Sequence, residues 1–231
     1  MSRPACFAIV PAAGGGSRMG APIAKQYLEV AGQPVILHTL RRLLAEPRLD
    51  RVLLVLSADD THFAALNYQH PRLDVQWIGG ATRAESVANG LAYLQAAEDD
   101  WIVVHDAARC CLSAEALARL LTELQEDAVG GLLALPVADT VKKSDANACV
   151  LETIPRDRLW LAQTPQMFRQ SLLSRALRQL DAAITDEASA VERLGHAPRL
   201  VVGDAANIKV TYPHDLTFAA AILMAQQKGT A

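Results

Sequence analysis

Cysteine is scarce in this chain. The 231 residues hold four, at positions 6, 110, 111 and 149, with no C-x-x-C pair and no metal-ligand spacing. The adjacent Cys110 and Cys111 read as buried free thiols, and a reducing cytoplasm is the expected location. Long apolar runs are also lacking. The longest, Ala128 to Ala138, is broken by Gly130, Gly131 and Pro136. It falls short of the roughly 18 residues that a membrane-spanning helix needs, so no membrane segment is expected. The apolar part of the first residues is too short for a secretory signal. A surplus of one charge is missing too: 22 Lys and Arg face 25 Asp and Glu, for a net charge of −3. Polyanion coating draws on excess cations, so nucleic acid is not an expected partner. The six histidines form no ligand cluster. There is no internal repeat and no low-complexity tract.

Half of the chain, 51%, is hydrophobic. A chain of this length buries a core without staples. Short apolar runs at Cys6–Val10, Val52–Leu56, Val75–Ile78, Trp101–Val104, Leu132–Leu135 and Leu200–Val202 predict strands covered on both faces. Between them, helical spacing is found over Pro34–Leu44, Ala84–Ala97, Ser113–Glu126, Leu172–Ala183, Asp186–Leu194 and Asp215–Gln227, with Ser113 as an N-cap. The alternation predicts an α/β fold: a Rossmann-like, mainly parallel sheet flanked by helices. Residues 138–154 depart from that rhythm and predict two strands around Ser144-Asp145-Ala146-Asn147. A lone hairpin is marginal in water. It either folds back on its own domain or is covered by a second subunit.

The stretch Val10-Pro11-Ala12-Ala13-Gly14-Gly15-Gly16-Ser17-Arg18-Met19-Gly20 is the most informative. Glycines after a strand let the backbone approach a ligand, and successive amides there form an anion-binding concavity. A P-loop is excluded because Ala21 and Pro22 stand where Lys and Ser or Thr belong. The dinucleotide fingerprint fails because Met19 replaces its third glycine.

This loop, with Lys25-Gln26 following, resembles that of sugar-nucleotide pyrophosphorylases and related nucleotidyltransferases. Six further motifs narrow the resemblance. They are Gly79-Gly80-x-x-Arg83-x-x-Ser86-Val87, His105-Asp106-Ala107-Ala108-Arg109, Asp139-Thr140-Val141-Lys142, Thr164-Pro165-Gln166, Thr185-Asp186-Glu187-Ala188 and Asn207-Ile208-Lys209-Val210-Thr211. Together they resemble the 2-C-methyl-D-erythritol 4-phosphate cytidylyltransferases, in order from about residue 6 to 225. The resemblance implies one GT-A-like nucleotidyltransferase domain over residues 1–231, with residues 137–156 as a projecting dimerisation arm.

The implied chemistry is attack by an acceptor phosphate on the α-phosphorus of CTP, with pyrophosphate leaving. A phosphate monoester, with its second pKa near 6, is already largely dianionic at neutral pH, so no general base is needed. The task is to hold two polyanions together, which calls for cations at loop ends and a divalent ion. The resemblance implies that Arg18 and Lys25 stabilise the transition state, and that Arg156 and Lys209 aim the acceptor phosphate. Ala12, Ala13, Gly14, Gly16, Gly80, Arg83 and Ser86 would bind the nucleotide. Asp106, Arg109, Thr140, Thr164 and Thr185 would bind the acceptor, a small sugar-alcohol phosphate. Mg2+ would be held mainly by the triphosphate, with Asp106 as a protein ligand; no dedicated metal cluster is expected. Thr140 and Arg156 would reach a partner's site in a homodimer with exchanged arms. Three residues depart from the family pattern: Ala24 before Lys25, Cys110 after Arg109, and Ala81 after Gly80. Without an acidic side chain at 81, cytosine preference rests on main-chain groups and Ser86. Two other readings are a cytidylyltransferase for ribitol 5-phosphate and a non-catalytic nucleotide-binding module. His105 reads as a structural hydrogen-bonding residue.

Overall fold

A seven-stranded sheet organises the chain in the computed structural model, which describes residues 3–14, 23–178 and 184–228. In chain order the elements begin with β1 (Cys6–Pro11), β2 (Glu29–Val30), β3 (Gln33–Pro34), α1 (Val35–Ala45), β4 (Arg51–Val55) and α2 (His62–Ala65). Next come β5 (Leu73–Gln76), α3 (Arg83–Leu94), β6 (Trp101–Val104), α4 (Ala114–Leu124), β7 (Gly130–Pro136), β8 (Val141–Ser144) and β9 (Val150–Ile154). The last are β10 (Trp160–Arg169), α5 (Gln170–Ala176), α6 (Glu187–Arg193), β11 (Arg199–Val202) and α7 (Pro213–Lys228). The sheet order is β11-β7-β10-β6-β1-β4-β5. All neighbours are parallel except β10, which runs antiparallel to both β6 and β7.

The period of two along the strands builds three layers. Ala8, Val10, Val52, Leu54 and Val103 face α1 and α4, packing with Leu40, Leu117 and Leu121. Ile9, Leu53, Val55, Ile102 and Val104 point the other way, to Val87 and Leu91 of α3, Leu173 of α5 and Val191 of α6. Ile9 and Leu53 are fully buried. Truncating such a residue to alanine costs about 2–5 kcal/mol. Helix α7 covers a third cluster that holds Cys110 and Cys111.

The predicted mainly parallel α/β fold is found. Ser113 caps α4, its hydroxyl accepting from the Ala116 amide. Two expectations differ. The helix predicted over Leu172–Ala183 ends at Ala176, and residues 179–183 lie outside those described. Strand β10 was not predicted. Its Gln163-Thr164-Pro165 leaves the β7 ladder between Ala162 and Gln166, because proline donates no ladder hydrogen bond. That break places Thr164 just past the end of β6, since Gln166 pairs with Val104.

The predicted hairpin is β8–β9, whose strands pair only with each other. Asp145 closes its turn, one carboxylate oxygen accepting from the amides of Asn147 (2.9 Å) and Cys149 (2.8 Å). Val150 and Leu151 are 61% and 62% exposed, so the hairpin does not fold back on its own domain to bury them.

Candidate active site

Loops at the carboxyl ends of the parallel strands meet in two adjoining pockets, where open α/β sheets bind ligands. The first is a cleft of about 170 Å3 between the loop after β1, the loop before α3 and the segment after β6. Gln26, nearly fully buried, donates to the Ala12 carbonyl at 2.8 Å and fixes the first loop. The second loop needs its glycines. A Cβ at Gly79 would strike Ala13 and stand 2.7 Å from the Leu56 carbonyl, and one at Gly80 would strike Glu85. Thr82 and Glu85 close a capping box on α3. The Gly80 and Ala81 amides donate to Ser86 Oγ (3.1 Å) and Glu85 Oε2 (2.7 Å). Ser86 is buried and donates to the Thr82 carbonyl.

Asp106 stands between the pockets. Its Oδ1 accepts from Arg83 Nε at 2.8 Å, and its Oδ2 accepts from Lys209 Nζ at 2.7 Å. Arg109 Nε lies 3.8 Å from Oδ2. Burial alone would push the Asp106 carboxyl upward, but Arg83, Lys209 and Arg109 outweigh it and hold the acid far below the usual range. Arg83 is forked onto Glu187 as well, with Nη1–Oε1 at 2.6 Å and Nη2–Oε2 at 3.0 Å. Its guanidinium is shifted up: burial works against the charge, and the two carboxylates overcome burial. Lys25 Nζ donates to the Val210 carbonyl at 3.0 Å, tying the glycine-loop side to the loop that carries Lys209.

The second pocket, about 190 Å3, is lined by Arg109, Gln163, Thr164, Gln166, Thr185 and Asp186, and shares Arg83, Asp106 and Lys209 with the first. Its floor is a directed hydrogen-bond chain. The Asp106 amide donates to Thr164 Oγ1 (3.0 Å), which lies 3.0 Å from His105 Nδ1. His105 Nε2 lies 3.1 Å from the Arg109 carbonyl. A carbonyl only accepts, so Nε2 carries the proton and Nδ1 accepts from Thr164. Burial pushes the imidazole down to about 4, which keeps it neutral. Arg109 Nη1 donates to the Asn207 carbonyl at 2.6 Å, whereas its buried Nε has no hydrogen-bond partner. An orphaned guanidinium N–H beside a pocket suits an anionic ligand. Burial is the main influence lowering the Arg109 guanidinium.

The structure therefore brings together Ala12, Ala13, Gly14, Lys25, Gly80, Arg83, Ser86, Asp106 and Lys209 in one cleft, and Arg109, Thr164 and Thr185 in its neighbour. Thr140 and Arg156 lie outside both. They sit at the base of the hairpin, both exposed, with the Arg156 guanidinium donating to the Ala138 carbonyl. Gly16 and Arg18 lie outside the described residues. His105 is the hydrogen-bonding residue that its sequence context suggested. Sequence reasoning missed Glu187 and Gln26. Both stand inside quoted motifs, but neither showed that its side chain turns inward.

A family model described as 2-C-methyl-D-erythritol 4-phosphate cytidylyltransferase matches residues 6–225. The chain belongs to this family. It is 63% identical over 225 residues to the 2-C-methyl-D-erythritol 4-phosphate cytidylyltransferase of Laribacter hongkongensis, covering 96% of this chain and 97% of the relative. The protein of the same name from Chromobacterium violaceum is 58% identical over 223 residues, covering 96% and 99%. A crystal structure of 4-diphosphocytidyl-2C-methyl-D-erythritol synthase superposes with a TM-score of 0.85 at 44% identity, covering 96% of this chain and 100% of that one. The cytidylyltransferase motifs gain a spatial meaning. Those around Arg83, Asp106, Thr164, Glu187 and Lys209 line the two pockets or hold the cations there. The motif with Thr140 is the exception, being carried on the hairpin.

Among the described residues, no group of three or more His, Cys, Asp or Glu side chains is arranged to hold a metal ion, and no helix is long and apolar enough to cross a membrane. The one carboxylate facing both pockets, Asp106, already serves three cations. That donor set fits Mg2+ only as an ion carried in by phosphate oxygens, which matches how this ion usually binds.

Proposed function

We propose that the chain transfers the cytidylyl group of CTP to 2-C-methyl-D-erythritol 4-phosphate, giving 4-diphosphocytidyl-2-C-methyl-D-erythritol and pyrophosphate for isoprenoid synthesis. The observation that carries the reading is the shared wall. Two pockets meet at Asp106 and Lys209, so a nucleotide in one and a phosphorylated acceptor in the other would react across it. The nucleotide is assigned to the first pocket, along Ala12, Ala13, Gly14, Gly80 and Ser86; Gly16 is assigned to it by the family motif alone. With the Gly80 and Ala81 amides already donated internally, those two positions keep only carbonyl acceptors. The exocyclic amine of cytosine donates to a carbonyl, whereas uracil presents an oxygen there, so the loop suits CTP.

The acceptor is assigned to the second pocket, with Arg109 Nε, Thr164 and Thr185 around it. Lys209 and the partner's Arg156 would aim its phosphate at the α-phosphorus, and Arg18 and Lys25 would stabilise the charge that develops. Asp106 stays ionised and holds Lys209 in place. Mg2+ would be held mainly by the triphosphate with Asp106 as a protein ligand, and would supply charge neutralisation. We assign residues 1–231 to one domain with residues 137–156 as an arm, and the working form to a cytoplasmic homodimer. Support for the arm comes from the exposed Val150 and Leu151 and from Thr140 and Arg156 lining neither pocket of their own subunit.

The test is pyrophosphate release from CTP, UTP, ATP and GTP, each with 2-C-methyl-D-erythritol 4-phosphate and with ribitol 5-phosphate. Release with CTP and the methylerythritol acceptor is expected. Release with ribitol 5-phosphate instead would change the acceptor, and none with any pair would leave a nucleotide-binding module.

A further inference from the structure

Glu187 is the most buried carboxylate at the site, with its side chain 1% exposed, yet it lines neither pocket. It opens α6, and Gln166 sets its position by accepting from the Ala188 amide at 2.8 Å and donating to Asp186 at 2.8 Å. From there Glu187 takes both Nη atoms of Arg83, leaving only Nε for Asp106. The charges then alternate along one line: Glu187, Arg83, Asp106, Lys209.

This division matters because a guanidinium and a carboxylate pair best as two parallel hydrogen bonds. Without Glu187, Arg83 would turn its fork onto both Asp106 oxygens and compete there with Lys209 Nζ, whose like charge now sits 2.7 Å from Oδ2. A fold staple alone does not require charges here, since apolar packing replaces buried ion pairs at little or no cost. We infer that Glu187 is a positioning residue: by occupying the Nη face of Arg83 it reserves one Asp106 oxygen for Lys209, and so sets the acceptor-phosphate cation. The inference rests on the reaction proposed above only for its kinetic readout.

The test uses Glu187→Gln, which keeps the shape and removes the charge. In a crystal structure of Glu187→Gln, Arg83 is expected to engage both Asp106 oxygens and Lys209 Nζ to move out of hydrogen-bond range. Lys209 remaining at its present distance from Oδ2 would overturn the inference, whatever the enzyme's substrates prove to be. In pyrophosphate release, the variant should raise the acceptor KM by about 10- to 100-fold, a usual cost of losing a supporting partner, with the CTP KM within about twofold. Equal losses toward both substrates would mark Glu187 as a plain structural anchor. Absence of release from the unaltered enzyme would instead overturn the proposed reaction, while the crystallographic measurement still decides the role of Glu187.

Discussion

At the residue scale, the site depends on groups held in one protonation state by their surroundings. His105 is the clearest. Its folded pKa of about 4 lies below the unfolded value near 6.5, so the unfolded chain binds the extra proton first as pH falls. The stability tied to neutral His105 is full above pH 6.5 and is lost between 6.5 and 4, by up to about 3 kcal/mol for a shift of this size. Urea denaturation across that range should show a falling midpoint, with a shallower slope in His105→Gln. A wild-type midpoint that is flat over the range, or an unchanged slope in the variant, would contradict the buried neutral imidazole. Asp106 contributes in the same sense, over a lower pH window. Its depressed acid gives stability above the ordinary carboxylate range that is lost only in stronger acid, so the two effects separate along the pH axis. The role of His105 was legible from its strand-end position. That of Glu187 was not, because a glutamate in the first turn of a helix is ordinarily a solvated partner of the helix dipole. Only the fold puts Arg83 in front of it.

At the element scale, the site is made where regular structure stops. The loop between β5 and α3 packs so closely on the loop after β1 that Gly79 has no room for a methyl group. Gly79→Ala should cost about 1–3 kcal/mol, as overpacking does, and should raise the KM for CTP more than that for the acceptor. Thermal denaturation and steady-state kinetics measure the two effects, and an unchanged melting temperature with unchanged KM would refute the close packing. The buried strands β1, β4, β6 and β7 were legible because residues covered on both faces leave continuous apolar runs. Strand β10 was hidden for the opposite reason. Gln163, Thr164, Pro165 and Gln166 interrupt its hydrophobic pattern, and they do so because three of them line the second pocket and Gln166 also braces α6. Where function takes over the side chains, the pattern that reveals a strand is lost.

At the scale of the whole molecule, a net charge of −3 conceals a local reversal. Lys25, Arg83, Arg109 and Lys209 gather at the pockets, with Asp106 paired to Arg83 and Lys209 and Glu187 paired to Arg83. Of the other cations that the sequence assigned to the same site, Arg156 is exposed on the arm, and Arg18 lies outside the described residues. In a single chain Thr140 and Arg156, proposed above for the acceptor, line neither pocket, and the arm leaves its apolar Val150 and Leu151 facing solvent. One arrangement repairs both defects: a two-fold dimer in which each arm covers its partner and delivers Arg156 there, since an isologous contact completes both sites at once. Mixing decides it. Arg156→Ala damages the site that its arm enters, whereas Lys25→Ala damages the site of its own subunit. If arms are exchanged, a heterodimer of the two variants carries both lesions in one site and none in the other. Equimolar mixing after subunit exchange should then restore roughly a quarter of wild-type activity, from half of the dimers each having one intact site. If Arg156 serves its own subunit, every site keeps one lesion and no activity returns. Exchange itself is verified by mass spectrometry of a tagged and an untagged variant, so that a failure to mix is not mistaken for a failure to complement.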